Sequence, residues 1–177
     1  MTLTTLPGTT VLYYGDEIGM ADVDVPPALR RDNATLAGET RVNRDRARTP
    51  MVWDAAPGGG FTRPDVTPWL PLPEHPVRNV ADQRADADST MWLCRRLLAL
   101  RHIELSGGIT DFEPLPAQPG QWAYRVGSLV VAANFSGWPT EIPALAGEVL
   151  LATWAGPDRS PSGVLDPWQG LVARLAT

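Results

Sequence analysis

The stretch Leu6-Pro7-Gly8-Thr9-Thr10-Val11-Leu12-Tyr13-Tyr14-Gly15-Asp16-Glu17-Ile18-Gly19-Met20 sets the fold class. Within it, Thr10–Tyr14 is an unbroken apolar, β-prone run, introduced by the Pro7-Gly8 turn and stopped by Gly15. A strand with one wet face alternates apolar and polar positions. An unbroken apolar run instead reads as a strand buried on both faces, as in a parallel sheet. Asp16 and Glu17 then stand at the C-terminal end of that strand.

Downstream, residues 21–80 have no sustained period and are punctuated by Pro26-Pro27, Gly58-Gly59-Gly60, Pro64, Pro68, Pro71, Pro73 and Pro76. A long irregular stretch in a compact domain is functional when it is ordered. Charge and aromatic residues gather here, in Arg44-Asp45-Arg46-Ala47-Arg48, Trp53 and Trp69, so an ordered loop region lining a site is expected. Residues 86–105 predict one helix. Asp86 or Asp88 can cap it, Leu93, Leu97 and Leu100 form an apolar stripe widened by Cys94 and Leu98, and Ser106-Gly107-Gly108 stop it. From Ile109 onward, short runs at 122–126, 129–134, 148–153 and 171–175 are separated by turn signals such as Pro119-Gly120, Gly127-Ser128 and Gly156-Pro157. Short strands without intervening helices predict an antiparallel sandwich.

Composition narrows the function classes. With 20 acidic and 15 basic residues the formal net charge is −5, the wrong sign for a nucleic-acid binder. Every basic residue is Arg, as in a GC-rich coding sequence, so an Arg is weak evidence by itself for a dedicated anion fork. One cysteine, Cys94, excludes an intrachain disulfide framework and a multi-cysteine zinc site. The two histidines, His75 and His102, lie far apart, and no metal or cofactor is expected. Met1–Pro7 lacks a basic, apolar leader pattern, and no run approaches a membrane span, so the chain reads as soluble and cytoplasmic, with no membrane partner. On that reading the triplets Asn33-Ala34-Thr35 and Asn134-Phe135-Ser136 are not glycosylation sites.

Two segments resemble one family. The first is Leu6–Met20, quoted above. The second is Arg44-Asp45-Arg46-Ala47-Arg48-Thr49-Pro50-Met51-Val52-Trp53-Asp54, continued by Gly60-Phe61-Thr62 and Pro68-Trp69-Leu70-Pro71. Both look like the α-amylase superfamily of glycoside hydrolases (family 13), and within it the α-glucosidase and oligo-1,6-glucosidase branch, which commonly carries Gln where this chain has Val52. The resemblance covers essentially the whole chain. It implies an α/β plus all-β architecture: the last strand and helix of a (β/α)8 barrel over residues 1–107, with 10–17 as the eighth strand and 86–105 as the eighth helix, followed by an antiparallel β-sandwich domain over 108–177.

The same resemblance leaves the catalytic carboxylates out. The family's nucleophile Asp and acid/base Glu lie on earlier strands, its Asn-His-Asp motif lies just upstream, and none of these is present here. Retaining hydrolysis needs two carboxyl groups about 5–5.5 Å apart across one bond. Adjacent strand residues such as Asp16 and Glu17 point to opposite faces and are expected instead to fix the strand end. Asp22 and Asp24 have no apolar pocket around them to make an acid. No catalytic residue is assigned.

Substrate binding falls to Arg48 and Arg44. In the family one Arg of the motif reaches the sugar next to the scissile bond, and that position is Arg48 here. A planar guanidinium can donate to sugar hydroxyls. Trp53 is expected in the core, with a sugar platform as the other possibility; Trp92, Trp122, Trp138, Trp154 and Trp168 are expected as core or sandwich-rim aromatics; Cys94 is expected as an inert small hydrophobe. Gly58–Gly60 lacks the Lys-Ser/Thr of a phosphate loop.

The function expected is therefore that of the C-terminal portion of an α-glucosidase-type enzyme, inactive alone. Its ligand would be an α-linked gluco-oligosaccharide once the barrel is completed, and its partner the missing N-terminal barrel polypeptide. The alternative is a non-catalytic carbohydrate-binding β-sandwich module. An incomplete barrel also predicts fast amide exchange over residues 1–80 and a protected core over 109–175.

Overall fold

The computed structural model describes residues 1–32, 44–73, 78–107, 111–142, 147–154 and 163–175. Asn33, His75 and the Gly156-Pro157 turn lie outside the described residues. The chain divides into two compact units, Met1–Val11 with Leu93–Thr177, and Leu12–Trp92. Among the described residues no helix is long and apolar enough to cross a membrane.

The first unit is built on antiparallel pairing. Its strands are β1 (Phe112–Pro114), β2 (Gln121–Val126), β3 (Leu129–Asn134), β4 (Thr140–Glu141), β5 (Gly147–Ala152), β6 (Val164–Leu165) and β7 (Gly170–Leu175). Five form one sheet in the order β1-β2-β3-β7-β5, and β4-β6 form a two-stranded ribbon. The four runs read as strands from sequence are β2, β3, β5 and β7. Period-two alternation sorts their side chains onto two faces. Tyr124, Val126, Leu129, Val131 and Val172 meet Leu97 and Leu105 on one face; Ala123, Ala132, Leu171 and Ala173 meet Ile142 and Leu165 of the ribbon side on the other. A register shift between Val149 and Leu151 bends β5.

Helix α1 (Thr2–Thr5) is a single turn on the helix-side core. The chain then bends over residues 6–8, and one guanidinium holds the bend: Arg101 Nη1 donates to Thr4 O and Leu6 O at 2.9 Å each, and Nη2 donates to Gly8 O. Arg101 belongs to α3 (Thr90–Glu104).

The second unit has a small core of Ile18, Met51, Val80 and Met91, with Met20 and Trp92 packed against it. Helix α2 (Val80–Ala85) starts at an Asn79 cap, whose Oδ1 accepts from Asp82 N at 2.8 Å. Irregular segments are tied to this core through their backbones: Val80 N donates to Val52 O at 3.1 Å, Ala81 N to Trp53 O at 2.9 Å, and Gln83 Nε2 to Ile18 O at 2.7 Å.

Two sequence expectations change. The helix expected over 86–105 is α3 alone and starts only at Thr90, after a turn at Asp86–Ser89 that separates it from the shorter α2. Asp86 and Asp88 do not cap α3. Asp86 Oδ1 accepts from Asp88 N within the turn, while Gln83 Oε1 accepts from Met91 N at 2.9 Å and Ser89 Oγ from Trp92 N at 3.4 Å. Thr10–Tyr14 carries no ladder and is not buried: Val11 is 76% exposed. A strand exists only with partners for its N–H and C=O groups. Every ladder among the described residues is antiparallel and lies between 112 and 175, so this run closes on itself, with Asp16 N donating to Tyr13 O at 3.1 Å.

Candidate functional site

The two loop motifs of the second unit converge on one cleft of about 460 Å³. Tyr14 and Glu17 come from the first motif; Arg48, Met51, Trp53, Phe61 and Trp69 come from the second and its continuation. Trp53 is 48% exposed and Trp69 is 62% exposed, so Trp53 is a cleft wall and not a core residue. Hydrophobic burial alone would have hidden an indole. What holds it out is its backbone: Trp53 N donates to Gly59 O at 2.8 Å, and its carbonyl is taken by α2.

The arginine pair divides its work around Asp32. Arg44 Nε donates to Asp32 Oδ2 at 2.9 Å, Nη2 to Oδ1 at 2.5 Å, and Arg44 N to Oδ2 at 3.0 Å. Arg48 Nη1 approaches the same carboxylate only to 3.7 Å, and Arg48 lines the cleft. The fork and backbone N–H of Arg44 hold the Asp32 carboxyl well below the usual carboxylate range; Asp32 in turn raises Arg44. Below them Asp45, 1% exposed, accepts from the backbone N–H groups of Arg31 and Asp32 at 2.5 and 2.8 Å. Arg46 pairs at the surface with Asp24 at 3.2 Å.

Tyr14 donates through its hydroxyl to Thr49 O at 3.0 Å, tying the two motifs together. Burial, then the neighbouring Tyr13, push its phenol up, partly offset by Arg48. Asp16 and Glu17 are engaged as structural acceptors: Asp16 Oδ2 takes Tyr13 N at 3.0 Å and Glu17 Oε2 takes Gly15 N at 2.8 Å. Asp24 is fully in water, with a side chain 98% exposed, and Asp22 is exposed. Neither has an environment that makes a general acid.

No group of three or more potential metal ligands occurs among the described residues. The turn at Gly58–Gly60 is closed by its own backbone. Gly59 N donates to Ala56 O, and Phe61 N and Thr62 N to Gly58 O, so these three N–H groups are not offered to a phosphate. Cys94 is a half-buried thiol. Asp32 and Tyr14 are the site residues that the sequence reading did not single out. Asp32 lies 12 positions from Arg44 in an irregular segment, and no spacing rule joins them.

Comparison with known proteins places these features. A family model described as "Alpha amylase, catalytic domain" matches residues 1–106, and a domain of unknown function (DUF3459) matches residues 112–172. An alpha-glucosidase of Pediococcus pentosaceus is 33% identical over 144 residues, covering 70% of this chain and 26% of that protein. A probable oligo-1,6-glucosidase 2 of Bacillus subtilis (strain 168) is 28% identical over 205 residues, covering 96% of this chain and 36% of that protein. In three dimensions the chain is similar to the trehalulose synthase MutB of Pseudomonas mesoacidophila MX-45, with a TM-score of 0.81 at 24% identity, covering 99% of this chain and 37% of that one. The chain thus spans between about a quarter and two fifths of these proteins. The part it matches is the C-terminal end of the barrel with the β domain behind it.

Proposed function

We propose, on the premise that the chain belongs to the alpha-amylase family, that it is the C-terminal portion of an α-glucosidase-type glycoside hydrolase of α-glucan and oligosaccharide metabolism. Residues 1–107 would close the barrel and 108–177 form the β domain. The cleft around Arg48 would hold an α-linked gluco-oligosaccharide. The observation that carries this reading is the placing of Arg48: one guanidinium face lines an aromatic-walled cleft while Arg44, not Arg48, satisfies Asp32. Relatives named alpha-glucosidase and oligo-1,6-glucosidase support the substrate class.

In this reading the chain binds and orients but does not cleave. Indole and phenyl walls pack on the apolar faces of a sugar ring, and Arg48 donates to its hydroxyls. Its positive charge keeps a carboxylate brought near it ionised. Arg44 positions Asp32 and through it the loop that carries Arg48. Cleavage needs a carboxyl pair about 5–5.5 Å apart; Asp16 and Glu17 are committed to backbone N–H groups, so in this reading the pair belongs to the earlier part of the barrel.

The full chain should release no glucose from maltose, isomaltose or an aryl α-glucoside. Isomaltose should nonetheless change tryptophan emission, through Trp53 and Trp69, and Arg48→Ala should weaken that response at least tenfold while Arg46→Ala leaves it unchanged. With an N-terminal barrel polypeptide co-expressed and activity restored, Arg48→Ala should lower kcat/KM by about tenfold to a thousandfold, or ~1.5–4 kcal/mol. Turnover by the purified chain alone, or equal small effects of Arg46→Ala and Arg48→Ala, would overturn the proposal.

A further inference from the structure

One end of the five-stranded sheet gathers aromatic side chains that the cleft around Arg48 does not use. Trp122 opens β2, Phe135 and Trp138 follow β3, Trp154 follows β5, and Trp168 precedes β7; the pairings Gln121↔Asn134, Ala133↔Gly170 and Ala152↔Leu171 put all of these at the same end. Four of them face water: Trp168 is 69% exposed, Trp138 is 64%, Phe135 is 49% and Trp122 is 36%.

The exposed rings are held in place from below. Asn134, 1% exposed, donates through Nδ2 to Trp138 O at 2.8 Å, Leu165 O at 3.1 Å and Asp166 O at 3.0 Å, so one buried amide pins the turns that carry Trp138 and Trp168. Phe135 N donates to Gly120 O at 2.7 Å, which sets Phe135 beside the Gln118–Gln121 turn. That turn lines a cavity of about 300 Å³ together with Glu141.

Trp168 is also strained. It has φ of 62°, and among the described residues it alone adopts positive φ without being glycine. It occupies the third position of a turn closed by Gln169 N donating to Asp166 O at 3.2 Å, with Pro167 before it. This is the position where glycine is the fitting residue. A bulky side chain held in a glycine conformation and pointed at water is an outlier that asks for a use.

The polar groups around the rings select the ligand's chemistry. Gln118, Gln121, Glu141, Asp166 and Gln169 supply amides and carboxylates, while the described arginines of the sheet, Arg125 and Arg174, pair with β3 and β5 toward the opposite end and are matched to Glu113 and to Glu104 and Glu148. Among the described residues of these turns the patch carries carboxylates, which disfavour an anionic ligand. It complements a neutral polyol that offers hydroxyl donors at its edge and C–H faces to stack on indoles.

We propose that this end of the sheet is a second carbohydrate-binding surface, with Trp138 and Trp168 as stacking platforms for a neutral glucan chain, separate from the cleft at Arg48. That the glucan is α-linked rests on the function proposed above.

The test is native gel electrophoresis of the full chain in gels cast with soluble glycogen. Glycogen should retard the wild type. Trp138→Ala and Trp168→Gly should each raise the apparent Kd at least tenfold, and Arg48→Ala should leave retardation in place. Trp168→Gly relieves the positive φ, so its melting temperature should not fall, which separates lost binding from lost folding. No retardation, or retardation insensitive to both tryptophan variants, would overturn the proposal. So would retardation lost in Arg48→Ala alone, which would leave the cleft as the binding site. Should the tryptophan variants instead convert a sedimenting dimer to a monomer without affecting glycogen, the patch is a self-association surface and the proposal fails. The cleft reading fails separately, if isomaltose leaves tryptophan emission unchanged.

Discussion

The hydroxyls of Thr5 and Tyr124 lie 2.5 Å apart, 119 positions distant in sequence and inside the helix-side core of the β-sheet. Tyr124 is 0% exposed, and burial pushes its phenol up, partly offset by the bond to Thr5. Removing the oxygen leaves Thr5 with carbonyl partners only, Met1 O and Thr2 O at 3.2 Å. Tyr124→Phe should therefore cost about 1 kcal/mol in a urea melt and speed amide exchange at residues 2–6 before the strands. The exchange map of the wild type should divide near Val11, with residues 2–6 protected alongside β2, β3 and β7. Fast exchange from residue 2 onward would mean that the first turn does not dock on the sheet.

Asp32 makes the fold sensitive to acid. Its folded-state pKa is depressed by Arg44, so the unfolded chain binds its proton first as pH falls. The contribution is complete above the unfolded value, about 3.9, and is lost as pH drops below that toward the folded value. Asp32→Asn should flatten the fall of melting temperature between about pH 4 and pH 2. Arg44→Ala should flatten it almost as much, and Arg48→Ala much less. Identical acid profiles for wild type and Asp32→Asn would contradict the clamp.

Asn134 is the most heavily used polar side chain of the β unit. Besides its three donated bonds, its Oδ1 accepts from Ser136 N at 2.9 Å and Ser136 Oγ at 2.7 Å. Truncation orphans several buried groups at once, so Asn134→Ala should cost about 3 kcal/mol or more by denaturant melt. Asn134→Asp should be as damaging, because a carboxylate has no N–H for the carbonyls that share the two amide hydrogens of Asn134. A near-neutral Asp variant would show that the donated bonds do not form in solution.

Thr49 gives the opposite sign. It is 0% exposed, and its Oγ1 has no hydrogen-bond partner among the described residues. A buried unpaired hydroxyl costs about 1–3 kcal/mol. Thr49→Val keeps the shape and removes the oxygen, so it should raise the urea midpoint or leave it unchanged. A clear fall would reveal a partner for the hydroxyl.

Regular elements were legible where periodicity decides them. β2, β3, β5 and β7 follow from apolar runs between turn signals, and the Leu93, Leu97 and Leu100 stripe marks α3. The break between α2 and α3 was not legible, because its caps come from Gln83 and Ser89 side chains whose partners are decided by packing. Thr10–Tyr14 has strand composition, but pairing is a property of neighbours and not of the run. At the site, Arg48 was legible through its motif. The Asp32–Arg44 clamp was not, since two residues 12 positions apart with no sequence period between them leave nothing to read. Trp53 shows the same limit: an indole announces apolar area, while the hydrogen bonds of its backbone determine whether that area meets water.

The turn at Gly58-Gly59-Gly60 has three successive left-handed residues, with φ of 86°, 59° and 65°. A Cβ at Gly58 would stand 2.3 Å from Thr62 O, and one at Gly60 would stand 2.9 Å from Trp53 Cβ. Neither neighbour is the far end of a flexible side chain, so neither can move aside cheaply. The tolerance of this turn to mutation is therefore set by backbone clearance and not by burial: exposed Gly60 should reject replacement in a saturation scan as firmly as half-buried Gly58, with Gly58→Ala already failing. Invariance of such a triplet among related chains would be a record of backbone clearance, and would carry no information about what the neighbouring cleft binds.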